Sequence, residues 1–487
     1  MAVKFWDGSS GAFETAAAWS PAGIPVSGDY AIINSGLVIE GGAFADFLTL
    51  RLTASASSSP RLVLAGATLP ATSRLEIAGM DSSASVQVQG QVSNLGTITI
   101  TSSAPGSATF LVRNADNGGA TTLLNAGTIA ITDGVAQFLN FGGNATRMTN
   151  NGVVSVASTG ATTSSAYIAL PIDGTGSVVI GGNSVVELAA AVGAGQTVAF
   201  LPGTGSSVLE LDTVGTFQGT IKNLVSTDRV GFGAVAAPGV SYTSTSATGG
   251  VVHITSNGNA LADLNVKGVY TPTDFSIATT DLGGGRSDTF LTTTATDALF
   301  NYTDSAAGTS GTVAADVYDG PVNYLQWQYL WNSTDGVAIG ATRDNVFLHG
   351  SSGSDALAVQ GGNNVIDGGG GSNFLVGGKG DDGGTDTFFV DGRGGVETWS
   401  SLVNFHHGDA VTIFGFTAGV STLPFTASDG AAGYTGATIH SELSGAGTGV
   451  NGSVTFAGIS LEDAQTKFTI STGSVGGANY LQVVYTG

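Results

Sequence analysis

Over residues 349–390, acidic or amide side chains recur every nine positions, at Asp355, Asn364, Asn373 and Asp382. Leu357, Ile366 and Leu375 keep the same interval two residues later. Written in nines, the segment reads GSSGSDALA from Gly350, VQGGNNVID from Val359 and GGGGSNFLV from Gly368, then Gly377-Gly378-Lys379-Gly380-Asp381-Asp382. The register slips after Asp382, and Gly384-Thr385-Asp386-Thr387-Phe388 restores a glycine, acid, apolar order. Glycines permit a tight turn and let backbone carbonyls approach an ion closely. The sixth residue of each nine supplies a side-chain oxygen, and the next three form a short strand with its large apolar residue pointing inward. Oxygen donors of this kind suit a hard cation, calcium first. The candidate metal-site residues are Gly350, Gly353, Asp355, Gly362, Asn364, Asp367, Gly371, Asn373, Gly378, Gly380, Asp382 and Asp386. A competing reading closes the same turns by asparagine hydrogen bonds, with no ion.

This segment resembles the RTX family of calcium β-roll repeats, whose consensus is GGxGxDxUx, U being a large apolar residue. The resemblance implies stacked turns with calcium held between them, each site shared by turns two repeats apart. That pairs Asp355 with Asn373, and Asn364 with Asp382 or Asp386. The segment also departs from the family, since Asn364 and Asn373 stand where the consensus has Asp, and Val359-Gln360 replaces a glycine pair. An amide still offers an oxygen, but the site loses charge. The expectation is roughly one to three sites, weak ones, in the ~10⁻⁴–10⁻³ M range usual for extracellular calcium modules. The stretch Asn404-Phe405-His406-His407-Gly408-Asp409 is similar to the turn that closes such rolls in type I-secreted proteins. By the same resemblance, the protein is exported to the cell surface or beyond, with its signal in the C-terminal region, and its folding is coupled to calcium.

Other chemistry is sparse. The five histidines are His253, His349, His406, His407 and His440. None forms an H-E-x-x-H helix, and no G-x-S-x-G elbow or phosphate-binding loop occurs. His406 and His407 with Asp409 suggest a metal site, but adjacent strand residues point to opposite faces. Asp281, Arg286 and Asp288 lie close together in a glycine-rich turn. A carboxylate pair assembled from distant strands is invisible in the sequence. The chain is therefore read as a non-enzyme, with a polysaccharide-acting enzyme on a β-helix as the alternative.

The elements that must position these residues are strands. Charged residues are 10% of the chain, against about 25% in ordinary domains. Gly, Thr, Val and Ala without charged helix faces predict many short strands and tight turns. Asn94-Leu95-Gly96-Thr97-Ile98-Thr99-Ile100 is echoed at Asn125–Ile131 and Asn150–Val156, and more weakly at 174–180. The marker glycines Gly96, Gly127, Gly152 and Gly176 are 31, 25 and 24 residues apart. Such spacings fit one rung of a three-sided parallel β-helix. Asn before Gly suits a turn of positive φ, and asparagines can also stack in a ladder. A β-sandwich is the competing architecture.

The expected fold is thus all-β: a β-solenoid body over 51–345, a calcium β-roll over 346–416 and a C-terminal β region over 417–487. Residues 1–50 carry Phe5, Trp6, Phe13, Trp19, Tyr30, Phe44 and Phe47, which read as an aromatic cap or a small separate domain. The aromatic strand from Tyr324 to Trp331 reads as packing, or as a sugar-stacking platform.

A net charge of −22 disfavours nucleic acid, which demands basic clusters. Absence of cysteine excludes disulfides and thiolate metal sites. Residues 1–10 lack the pattern of a secretory signal, and no apolar run is long enough for a transmembrane segment. A mean hydropathy of +0.25 with so few charges implies deep burial or assembly. The functional expectation is a secreted, calcium-dependent structural protein that self-assembles as a layer, filament or biofilm matrix, or adheres to cell-surface polysaccharide. Strands at 2–6 and 480–485 are candidate exchange elements between copies.

Overall fold

The computed structural model describes residues 2–487 except 56, 80–83, 103–107, 113–119, 141–145, 161–162, 284–285, 332, 381–382, 394–396, 416–424 and 443–450. The chain forms two compact units. One comprises Met1–Thr245 with Gly249–Thr296, the other Ser246–Thr248 with Asp297–Gly487.

In the first unit the chain visits three sheets in turn. Thr97–Ser102 lies in one, Ala108–Val112 in the second and Thr121–Asn125 in the third, before Thr128–Thr132 returns to the first. Each strand pairs in parallel with its counterpart one circuit later, so this is a three-sided parallel β-helix. In the first sheet Thr97 pairs with Thr128, Thr128 with Val153, Val153 with Ser177, Ser177 with Thr197 and Thr197 with Thr220. Strict alternation points Ile98, Ile129, Val154, Val178, Val198 and Ile221 inward, all 2% exposed or less. Parallel sheets with one face on such a core suit these β-branched residues.

The asparagines that open the repeats do form a ladder. Asn94 Nδ2 donates to Asn125 Oδ1 at 2.8 Å, and Asn125 Nδ2 donates to Asn150 Oδ1 at 2.7 Å. Asn150 Nδ2 then donates to Gln196 Oε1 at 3.0 Å, and all four side chains are buried. Each Asn amide also donates to a strand carbonyl of the next circuit, at Thr128, Val153 and Ser177. The marker glycines serve a different need from the one their sequence suggests. Gly96, Gly127, Gly152 and Gly176 are absent from the positive-φ positions. A Cβ on Gly127 would instead lie 2.1 Å from the carbonyl oxygen of Gly96, and one on Gly152 would lie 2.0 Å from that of Gly127. Close approach of neighbouring circuits, not handedness, requires glycine there.

At its first circuits the unit is closed by Trp6, Phe13, Trp19 and Phe44. Trp19 meets Trp6 and Phe13 edge-on at 5.1 Å each, and Phe13 meets Phe44 at 5.6 Å. Phe5 and Phe47 stay exposed. Between 230 and 345 antiparallel pairs interrupt the parallel circuits. Gly249–Ser256 pairs antiparallel with Asn259–Lys267, and Phe275–Gly283 with Arg286–Thr293. Leu299–Asp304 and Thr309–Ala314 form another antiparallel pair in the second unit.

The second unit is a two-sheet roll. Val337–Ala341, Ala356–Ala358, Phe374–Val376 and Thr398–Val403 are neighbours in one sheet. Val346–His349, Val365–Asp367, Thr387–Asp391 and Ala410–Phe414 are neighbours in the other. Ala338 pairs with Ala356, Phe347 with Val365, and Ala356 with Phe374, each eighteen residues on, or two nines per circuit. Leu357, Ile366, Leu375 and Phe388 fill the space between the sheets. Asn451–Ala457 then joins Thr398–Val403 in parallel, and antiparallel strands extend both sheets, Gly436–Glu442 on Asn451–Ala457 and Ala478–Tyr485 on Ala410–Phe414. No helix is long and apolar enough to cross a membrane among the described residues.

The strands proposed for exchange are each paired within the chain on both sides, Val3–Trp6 on one side through Phe5 and Trp6 alone. Val3–Trp6 pairs with Trp19–Ser20 on one side and Tyr30–Ile33 on the other. Ala478–Tyr485 lies between Ala410–Phe414 and Phe468–Val475. The aromatic strand is used in packing: Tyr329 meets Phe300 at 5.8 Å, Trp331 meets Tyr302 at 5.8 Å, and Leu325 is buried.

Candidate functional site

Asp355, Asn364, Asn373, Asp386 and Asp409 each directly precede a strand of the roll, and they, with Ser400 within Thr398–Val403, hold the circuit before them. Asp355 Oδ1 accepts from Val337 N at 2.7 Å, Asn373 Oδ1 from Asp355 N at 2.8 Å, and Ser400 Oγ from Asn373 N at 3.1 Å. On the other sheet, Asn364 Oδ1 accepts from Val346 N, Asp386 Oδ1 from Asn364 N, and Asp409 Oδ1 from Asp386 N, at 3.1, 3.0 and 2.7 Å. These side chains are all 3% exposed or less. Asp355 and Asn373 therefore touch, as do Asn364 and Asp386. Asp382 lies outside the described residues.

The two residue types then treat their own turns in opposite ways. Asn364 Nδ2 donates to Gly361 O at 2.5 Å, and Asn373 Nδ2 donates to Gly370 O at 2.8 Å. Since each Oδ1 accepts a backbone N–H, rotating the amide would break both bonds. Asp355 Oδ2 instead accepts from Ser351 N at 2.6 Å, and Asp386 Oδ2 from Gly378 N at 2.6 Å. An amide thus uses its turn's carbonyl oxygen as an acceptor, whereas a carboxylate leaves those oxygens available.

The glycines make this crowding feasible. Gly362, Gly371 and Gly380, nine apart, have φ of +75°, +72° and +72°, a region that glycine enters without strain. A Cβ on Gly350 would lie 2.4 Å from Asp355 Oδ2 and 2.8 Å from Gly368 O, so oxygens of two stacked turns converge there. At Gly353 a Cβ would meet Thr334 O at 2.9 Å. Asp367 faces another way: its Oδ2 lies 2.9 Å from His349 Nδ1, and its Oδ1 accepts from Gly369 N. That pairing, first through the hydrogen bond, raises the His349 pKa.

The all-oxygen set around Gly350 fits a hard cation. It comprises the buried Asp355 carboxylate and the Gly368 carbonyl, and no lysine or arginine pairs with Asp355 among the described residues. The Asn364 and Asn373 turns fit less well, because an amide N–H already takes a carbonyl in each.

A third group lies where the circuits lengthen. One ligand atom each from Asp386, His406 and Asp409 lies within 4.8 Å of the other two. Asp409 Oδ2 accepts from His406 N at 2.9 Å, and its Oδ1 lies 3.5 Å from His406 Nδ1. Burial pushes both carboxyls up, Asp409 to about 6, with the Asp386 charge adding to it. The His407 side chain is exposed and is not among the three gathered groups.

The first unit carries a site that the sequence did not reveal. Tyr167, Glu187, Glu210 and Gly231 pair in succession across four strands, and Gly231 pairs with Phe290 on a fifth. Their neighbours Val186, Leu188, Leu209 and Leu211 face the core, so this file faces outward. Glu187, Glu210, Asp212, Phe232 and Asp288 line a groove of about 510 Å³. Glu210 rests where a Cβ on Gly231 would sit, 1.9 Å from its Oε2. Burial, then the charge of Asp288, raises Glu210 to about 7, while Arg229 opposes the shift. Burial and Asp212 also raise Glu187. Arg229 lies over the Phe290 ring at 4.6 Å. Of the sequence-adjacent trio noted above, Asp288 reaches this groove, and the side chains of Asp281 and Arg286 lie outside the described residues. No spacing in the sequence links Glu187, Glu210 and Asp288; only strand register does.

Neither protein-family models nor curated protein sequences give a match to this chain.

Proposed function

We propose that this chain is an extracellular structural protein of the cell surface or matrix, with calcium bound in its roll. The observation that carries the reading is the Asp355 turn, where a buried carboxylate and a carbonyl of the stacked turn converge without a lysine or arginine partner among the described residues. Asp355, with the glycine turns at 350–353 and 368–371, would hold the ion. A buried carboxylate gains from a bound cation what it loses on leaving water. Calcium is scarce in cytoplasm and plentiful outside cells, so such a roll is firm only after export. The RTX-like repeat supports the type I route. The low charge supports assembly into a layer, filament or biofilm matrix, or adhesion to a polysaccharide. The sheet edge at Phe468–Val475 is the contact we favour for assembly, since it ends its sheet and runs eight residues.

The test is a calcium titration of chelated protein, followed by thermal melting and negative-stain microscopy. Millimolar calcium is expected to raise the melting temperature of the second unit and to convert monomers into assemblies. Asp355→Asn should weaken the calcium response at least tenfold. Monomers with calcium-independent melting at all concentrations would sink the proposal.

A second reading is favoured by the groove of the first unit. Glu210, held to about 7 beside Asp288, Asp212 and Glu187, has the proton affinity of a general acid. A secreted polysaccharide-cleaving enzyme would place its glycan along this outer file.

A further inference from the structure

Where the roll's circuits lengthen, its donor set changes character. Asp386, His406 and Asp409 mix two carboxylates with an imidazole, whereas the Asp355 turn offers oxygen alone. We propose that Asp386, His406 and Asp409 form a separate site for a borderline divalent transition ion, of the zinc or manganese class, distinct from calcium. The proposal does not rest on calcium occupying the Asp355 turn.

Four observations carry it. First, the ligand atoms are already gathered: His406 Nδ1 and Asp409 Oδ1 are 3.5 Å apart. Bonds of ~2.0–2.2 Å to a tetrahedral ion put neighbouring ligands about 3.3–3.6 Å apart. Second, both carboxylates are held from behind. Asp409 accepts from Asp386 N and His406 N, and Asp386 accepts from Gly378 N, Asn364 N and Asn364 Nδ2. Both Asp409 oxygens and Asp386 Oδ2 retain a lone pair, while Asp386 Oδ1 already accepts two bonds, and such outer hydrogen bonds are what fix metal ligands in place. Third, Asp386 and Asp409 are 2% and 0% exposed, and His406 is the only basic side chain paired with either among the described residues. Two buried carboxylates side by side favour a divalent ion over a lone imidazolium. Fourth, glycines leave the space open. A Cβ on Gly377 would stand 2.8 Å from Asp386 Oδ2, and one on Gly380 would stand 2.6 Å from the His406 ring.

Imidazole decides the class of ion. Calcium takes six to eight oxygens, whereas zinc and manganese accept nitrogen with carboxylate. His406 Nδ1 lies 3.3 Å from the His407 carbonyl oxygen, which can only accept, so this nitrogen must give up a proton before it ligates an ion.

Full-length protein would be stripped with chelator, saturated with calcium, and titrated with zinc and with manganese by calorimetry, with bound metal counted by mass spectrometry. One equivalent of transition ion should bind in the presence of millimolar calcium. His406→Ala should weaken that binding at least tenfold while leaving calcium-dependent melting unchanged. His407→Ala and His253→Ala should leave it intact. Cobalt substitution gives a second readout, a visible absorption band that His406→Ala removes. Asp409→Asn tests the carboxylate, and if it does not fold, His406→Gln replaces it. The proposal is overturned if no equivalent binds, if calcium displaces the ion, or if His406→Ala binds as the native protein does. Failure of the calcium response with zinc binding intact would overturn the calcium reading alone.

Discussion

Glu210 shows how one side chain couples the groove to pH. Its carboxyl titrates at about 7 in the folded chain, against 4.5 for an ordinary glutamate. The folded state therefore holds more protons than the unfolded state between those values. Its contribution to stability is full below pH 4.5 and is lost as pH rises through 7. Glu210→Gln removes this titration. The urea midpoint of the variant should change less between pH 5 and pH 8 than that of the native protein; equal changes would contradict the assignment. The same variant tests the enzymatic reading: any release of reducing ends from a glycan panel should fall at least a hundredfold. The nine-residue spacing made the roll's inward side chains legible, since its register is local. The groove was not legible, because Glu187, Glu210 and Asp288 meet only through pairing across circuits of unequal length.

The asparagine ladder belongs to the scale of the strand. Asn125 is an interior rung, donating to Asn150 and Val153 and accepting from Asn94. Asn94 is a terminal one, whose Oδ1 has no partner among the described residues. Removing the interior amide leaves more buried polar atoms unpaired, each costing about 1–3 kcal/mol. Asn125→Ala should therefore destabilise the first unit by about 3 kcal/mol, and Asn94→Ala by about half that, measured by urea unfolding. Equal losses would mean that the ladder does not act as a unit. The strands themselves were readable from I-x-I and V-x-V alternation. The antiparallel hairpins beyond Gly233 were not, because composition stays the same while pairing direction changes. Nor did the Asn-Gly pairs disclose that crowding, rather than turn handedness, demands their glycines.

At the scale of the molecule, the two units keep separate cores. One cluster runs from Trp6 to Leu291, and the main cluster of the other from Ala298 to Val483. Calcium bound by the roll should thus slow hydrogen exchange in residues 297–487 and leave 2–245 unchanged, as peptide-resolved mass spectrometry would report. Slowing spread equally over both units would tie the ion to the first unit as well. A surplus of acids, 36 against 14 bases, adds to this response, because cations relieve self-repulsion. The solenoid body and the roll were both anticipated in kind, since each repeats within a short window. Where one yields to the other was not, because strands of similar composition serve in both.

The circuits of the first unit take 31, 25, 24, 20 and 23 residues between paired strands, yet the inward register never slips. Such a chain separates two kinds of inheritance: a change of one residue within a strand inverts its faces, while a change of many in a turn alters nothing inside. A lineage of these proteins can therefore lengthen, decorate or exchange its outer turns freely while its interior stays the same.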